Sequence, residues 1–222
     1  MWSYYGRKTR VVKEYPPAMF NTIVEPFAGT ATYSLYGDNW KKEVHLIDKY
    51  NVIINIWHYL QRASEQDILS LPDIACGESL NNHQYLCKEE RQLIGFSICE
   101  GSVKPKATAS SKVGFNNWNV NKSKIAANLY KIKHWDIRCG EYDEFHDINS
   151  LTATWFIDPP YQIGGQYYAR KFKDYDILAE YCKSRKGQII VCENTKADWL
   201  PFKTLKDMQG QLHMTTEAVW IN

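Results

Sequence analysis

Short apolar runs alternate with amphipathic stretches along most of this 222-residue chain. TIVEPF, Thr22 to Phe27, predicts a short buried strand that closes at Gly29, and the TATYSLYG after it can start a helix. EVHLID, Glu43 to Asp48, predicts a second strand ending on an acid. NVIINIWHYLQ then has helical spacing, with Ile53, Ile56, Trp57 and Leu60 on one face. WDIRCG, TATWFI and GQIIVCE (Gly187 to Glu193) are three more candidate strands, and the tail HMTTEAVWIN reads as a closing strand. DYDILAEYCKSR is an amphipathic helix between the last two of those three. Strands alternating with helices predict an open, mostly parallel α/β sheet with helices on both faces.

The rhythm breaks between Gln61 and Trp135, where no clear buried strand occurs and polar, amide-rich stretches dominate. KEERQLIGFSICEG is the plainest helix there. The expected organisation is therefore a core of residues 1–60 and 136–222, interrupted by a mostly helical insertion, 61–135, between the second and third strands. No internal repeat or low-complexity tract is present.

Composition narrows the class. Apolar content of 44% and charged content of 23% exclude a globally disordered chain. No apolar run approaches the roughly 20 residues of a membrane helix, and MWSYYGRKTR lacks a signal-peptide core. A soluble, cytoplasmic protein is expected. Its six cysteines, Cys76, Cys87, Cys99, Cys139, Cys182 and Cys192, form no C-x-x-C and read as reduced thiols. Structural zinc ligands come in close pairs, and the histidines form no cluster, so no metal is expected.

The net charge of +2 hides an asymmetry. No acid stands between Glu100 and Asp136, an interval with seven lysines and interleaved aromatics. Its Lys104, Lys106, Lys112, Lys122, Lys124 and Trp118 are candidate nucleic-acid contacts, against the plainer reading of a solvated loop.

Two stretches carry candidate chemistry. In VEPFAGTATYSLYG, Gly29 at a strand-to-helix corner lets a ligand approach the backbone, and Asp48 stands 19 residues later to bind ribose hydroxyls. The full G-x-G-x-x-G and the lysine of a P-loop are absent, so no phosphate cradle is indicated. Glu25 is either a ligand on the cofactor side or a buried strand-end acid. WFIDPPY places Asp158 at the end of a strand, then two prolines that stiffen the rim, then Tyr161. A carboxylate, a carbonyl and a ring suit a planar group with an exocyclic amine, although a bare D-P-P-Y is also an ordinary turn.

In order, YYGRK, VEPFAGTATYSL, LIDKYN, RCGEYDEF and D-P-P-Y resemble the motifs of Dam-type, S-adenosylmethionine-dependent DNA adenine N6-methyltransferases. The resemblance covers about two thirds of the chain, and the insertion falls where those enzymes carry their target-recognition region. It implies a Rossmann-like class I methyltransferase sheet, S-adenosylmethionine as cofactor, double-stranded DNA as partner, and the cytoplasm of a bacterial or phage-infected cell. It further implies that Lys8 lies near the methionine carboxylate, with Tyr4 and Tyr5 by the cofactor. Phe27, Ala28 and Gly29 would line its methionine part, Asp48 its ribose, and Glu141 and Tyr142 its adenine. Asp158, Pro159, Pro160 and Tyr161 would hold a flipped adenine. The chain departs from the pattern at Arg7, where many members have a small residue or an amide, and at Thr30. Cytosine N4, an RNA adenine and a catalytically inactive DNA-binding subunit stay open as alternatives, as does pairing with a restriction endonuclease.

Overall fold

The computed structural model describes residues 1–112, 114–165, 168, 172–209 and 214–222. Val113, inside the basic stretch, and His213, at the start of the predicted tail strand, lie outside the described residues. Seven strands form one sheet: β1 (Thr22–Glu25), β2 (Glu43–Asp48), β3 (Asp136–Cys139), β4 (Thr152–Ile157), β5 (Lys186–Asn194), β6 (Lys203–Gln209) and β7 (Met214–Ile221). Their order is β3-β2-β1-β4-β5-β7-β6. The first five are parallel, whereas β7 runs antiparallel to both β5 and β6. That is a Rossmann-like, mostly parallel order with an antiparallel β7, the α/β architecture expected from the sequence.

Side chains alternate across this sheet, as the two-residue period of a strand requires. Ile23, Leu46, Phe156, Ile190 and Cys192 enter one apolar cluster, while Val24, Ile47, Trp155, Ile157 and Val191 enter the other. Helix α1 (Asn51–Arg62) covers the first face with the predicted Ile53, Ile56, Trp57 and Leu60. Helix α6 (Tyr175–Ser184) covers the second with Leu178, Ala179 and Cys182. The short α5 (His146–Asn149) adds Ile148 to that second face. Among the described residues no helix is long and apolar enough to cross a membrane.

The stretch after Gly29 is not a helix. Ala31 has φ +46°, and Ser34 N–H donates to the Glu25 carboxylate at 2.8 Å instead of to a helical carbonyl. Tyr33 is also drawn away, with its hydroxyl donating to the Pro16 carbonyl at 2.8 Å. Of the seven strands, β6 is the one the sequence pattern did not reveal. KTLKDMQ is mainly polar, and β6 needs the antiparallel neighbour β7 to form.

The insertion holds α2 (Glu65–Leu69), α3 (Lys88–Ser97) and α4 (Trp118–Ala126). Leu93, Ile94, Phe96, Trp118 and Ile125 join the same cluster as Trp57 and Leu46, so the insertion shares the core of the sheet. Two candidate nucleic-acid contacts are corrected here. Trp118 is completely buried, and its indole N–H donates to the Pro72 carbonyl at 2.8 Å. Lys122 is half-buried and ties the α2–α4 connection, with its ammonium 2.9 Å from the Leu71 carbonyl and 2.5 Å from Asp73. A large indole gains more from the core than from water, and a lysine stem can lie on apolar surface while its ammonium binds carbonyls. Lys104, Lys106, Lys112 and Lys124 are exposed.

Candidate active site

In a sheet of this order the connections leave β1 and β4 in opposite directions, which opens a crevice at their carboxyl ends. There the chain turns at Pro26–Gly29. Ala28 N–H donates to the Ile47 carbonyl at 2.9 Å, which ties this turn to β2. Gly29 has φ +47°, and its N–H donates to Asp48 Oδ2 at 3.0 Å while its carbonyl accepts from the Trp57 indole at 2.9 Å. A Cβ at Gly29 would meet the Tyr4 ring at 3.5 Å, so the glycine packs directly beneath that ring. Asp48 Oδ1 accepts from Tyr50 N–H at 2.8 Å. Burial pushes the Asp48 carboxyl up to about 6, and these two backbone amides oppose the rise.

Beside this corner lies an aromatic shelf. Phe27 and Tyr142 stack with centroids 5.4 Å apart, and Phe172 meets both edge-on. Glu141, next to the shelf, is ion-paired with Lys49. Glu25 is buried at the end of β1, and burial pushes its carboxyl up to about 8.

Asp158 follows β4 across the crevice. Its Oδ1 lies 2.8 Å from the Lys8 ammonium and has no further partner among the described residues. Burial pushes the Asp158 carboxyl up to about 6; Lys8 pulls against this and Glu217 adds to it. Burial alone would lower the pKa of Lys8, but Asp158 and Glu217 together hold it well above its ordinary value, so the ammonium is charged. Lys8 also donates to the Tyr161 hydroxyl at 2.5 Å and sits 4.4 Å from the centre of that ring. The Tyr161 hydroxyl in turn donates to Glu217 at 2.5 Å.

Tyr4, Tyr5, Lys8, Glu25, Phe27, Ala28, Gly29, Asp48, Glu141, Tyr142, Asp158 and Pro160 all line one cavity of about 510 Å³. Pro159 and Tyr161 are not in its wall. Pro159 is buried, and Tyr161 is turned toward Lys8 and Glu217. Sequence reasoning missed several contributors, three of them aromatic or acidic groups close to the proposed chemistry. Tyr168 and Phe172 line the cavity from the segment after β4. Glu217 lies behind it, and the only sequence sign of Glu217 is an acid inside an otherwise closing strand, TTEAVWIN. Among the described residues no cluster of metal-ligating side chains occurs.

The volume falls within the range of about 300–1,000 Å³ for small-molecule sites. A backbone corner without a Cβ, a strand-end carboxylate with lone pairs to spare and an aromatic shelf fit a nucleoside-bearing cofactor. No family model matches this chain, and no curated protein matches it either. Among solved structures, the Escherichia coli protein yhhF, which its description proposes to be a methyltransferase, aligns at 10% identity. That alignment covers 96% of this chain and 78% of the other at a TM-score of 0.31, too low to bear on function.

Proposed function

We propose that this chain is an S-adenosylmethionine-dependent methyltransferase acting on an exocyclic amine, N6 of adenine in double-stranded DNA. The observation that carries this reading is the convergence on one cavity of the Gly29–Asp48 corner, the Phe27–Tyr142 shelf and Asp158. Asp48 would hold the cofactor's ribose, and Phe27 and Tyr142 would flank its adenine. When bound, the cofactor supplies an electrophilic methyl group.

The residues of the chain do the rest. One Asp158 oxygen faces Lys8, which leaves the other to accept an N–H of the target amine. The carboxylate also favours the positive charge that develops as that nitrogen attacks. The target nitrogen would take the methyl group in exchange for the cofactor's sulfur, which would leave as a neutral thioether, and the amine's extra proton would pass to solvent afterwards. Asp158 thus positions and stabilises, and need not be a strong base. Orientation supplies much of the remaining acceleration. The target base must leave the duplex to reach Asp158, at a cost of roughly a few kcal/mol. Exposed Lys104, Lys106, Lys112 and Lys124 supply the charge to hold the phosphate backbone.

Calorimetry with S-adenosylmethionine tests the cofactor half of the reading, and absence of binding with and without DNA would sink it. Modification-sensitive sequencing of DNA treated with protein and cofactor tests the other half, reporting base and sequence context together. Methyl groups on cytosine N4, or on RNA alone, would redirect the substrate assignment.

A further inference from the structure

Glu217 is 3% exposed, on a strand whose neighbouring Ala218 and Val219 are buried apolar residues. Removing a carboxylate from water costs several kcal/mol, and a closing strand could bury an apolar side chain there at no such cost. The carboxyl group is nevertheless built in. Glu217 Oε1 accepts from the hydroxyls of Tyr15 and Tyr161, both at 2.5 Å, and lies 3.5 Å from the Lys8 ammonium. Lys8 also touches Asp158 and Tyr161. Lys8, Tyr161 and Glu217 therefore close a ring that Asp158 joins through Lys8, so that one cation serves two carboxylates. With both carboxylates ionised this cluster is one negative charge in excess, and it faces the cavity through Asp158.

We propose that Glu217 is a positioning residue for transfer to an amine. It fixes Lys8 and Tyr161 from behind, so that Asp158 is held in one orientation. It also supplies the second negative charge that suits a nitrogen becoming cationic. This inference rests on the amine-methyltransferase reading. Its electrostatic half can be measured without turnover.

Several titratable groups lie near enough to Asp158 to act on it electrostatically. Lys8, Tyr4 and Tyr15 come from the N-terminal segment, Glu25 from β1, Cys192 and Glu193 from β5, Glu217 from β7, and Tyr161 and Tyr168 from the segment after β4. Replacing Glu217 by glutamine removes one anion from this set and preserves shape and an acceptor.

The test is carbon-13 NMR of the side-chain carboxyls in the full-length protein, with Asp158→Asn to assign the Asp158 signal. In E217Q the Asp158 midpoint should fall below its wild-type value, and the acid limb of kcat should move with it, while cofactor affinity and KM for DNA stay unchanged. An unmoved Asp158 midpoint overturns the proposal, as does a loss carried wholly by KM. Should E217Q not fold, the wild type decides. The Glu217 carboxyl carbon must then respond as Asp158 titrates, and two independent carboxyls would overturn the coupling. A wild type that titrates as described but neither binds S-adenosylmethionine nor methylates DNA would sink the methyltransferase reading and leave the coupled cluster standing.

Discussion

Asp158 and Glu25 are both carboxylates at strand ends, yet their partners differ and so do their consequences. Asp158 has the Lys8 ammonium beside it, whereas among the described residues Glu25 accepts a hydrogen bond from the Ser34 amide alone, and burial prevails. Replacing Asp158 by alanine should cut methyl transfer on the order of a hundredfold or more while leaving cofactor binding intact, as read by single-turnover assays and calorimetry. Because Asp158 is protonated below about 6, wild-type turnover should fall as pH drops through that value. For Glu25 the consequence is stability. Its native pKa, about 8, is above its ordinary value, so the native state holds more protons than the unfolded state between the two. Stability is then lost as pH rises through that window. Glu25→Gln should melt higher than wild type at pH near 9, by on the order of a few kcal/mol in stability, and the gap should close toward pH near 5. Thermal melts across pH check this, and a gap that widens at low pH would contradict it. At this scale the sequence identified both acids, since each ends an apolar run. It could not show that Lys8, 150 residues before Asp158, would be the ammonium facing it.

Among elements, β2, α1 and β4 lie where their patterns placed them, because each has an uninterrupted period of its own. The helix expected after Gly29 is absent because Glu25 and Pro16 capture Ser34 and Tyr33. No local pattern records such captures. Trp118 in α4 shows the same limit, since a basic, aromatic stretch looks alike whether its indole faces DNA or the core. Trp118→Ala should destabilise the protein by about 3–5 kcal/mol, measured by urea unfolding. Replacing Lys104 and Lys106 by alanine should leave stability nearly unchanged and weaken DNA binding. The slope of log affinity against log salt should then shrink by roughly one per lysine lost. An unchanged slope would remove these lysines from the DNA surface.

For the whole molecule, the shared core means that residues 61–135 cannot behave as a detachable module. Leu93, Phe96 and Trp118 pack in one cluster with Trp57 of α1 and with the sheet. A chain lacking 61–135, closed by a short linker, should therefore lose cooperative unfolding in circular dichroism. A deletion variant that melts sharply would show that the sheet carries its own complete core.

The sequence by itself determined the sheet's parallel strands, the helices α1 and α6, and the strand-end residues Glu25, Gly29, Asp48 and Asp158 at the cavity. Each of these follows from local periodicity, or from an acid or glycine standing where an apolar run stops. Only the tertiary structure decided which side chains face one another across those ends. It turned Tyr161 away from the cavity, set Lys8 against Asp158, buried Trp118 and brought Glu217 behind the site. These outcomes depend on contacts between residues far apart in the chain, where packing and the cost of burying charge outweigh any local preference.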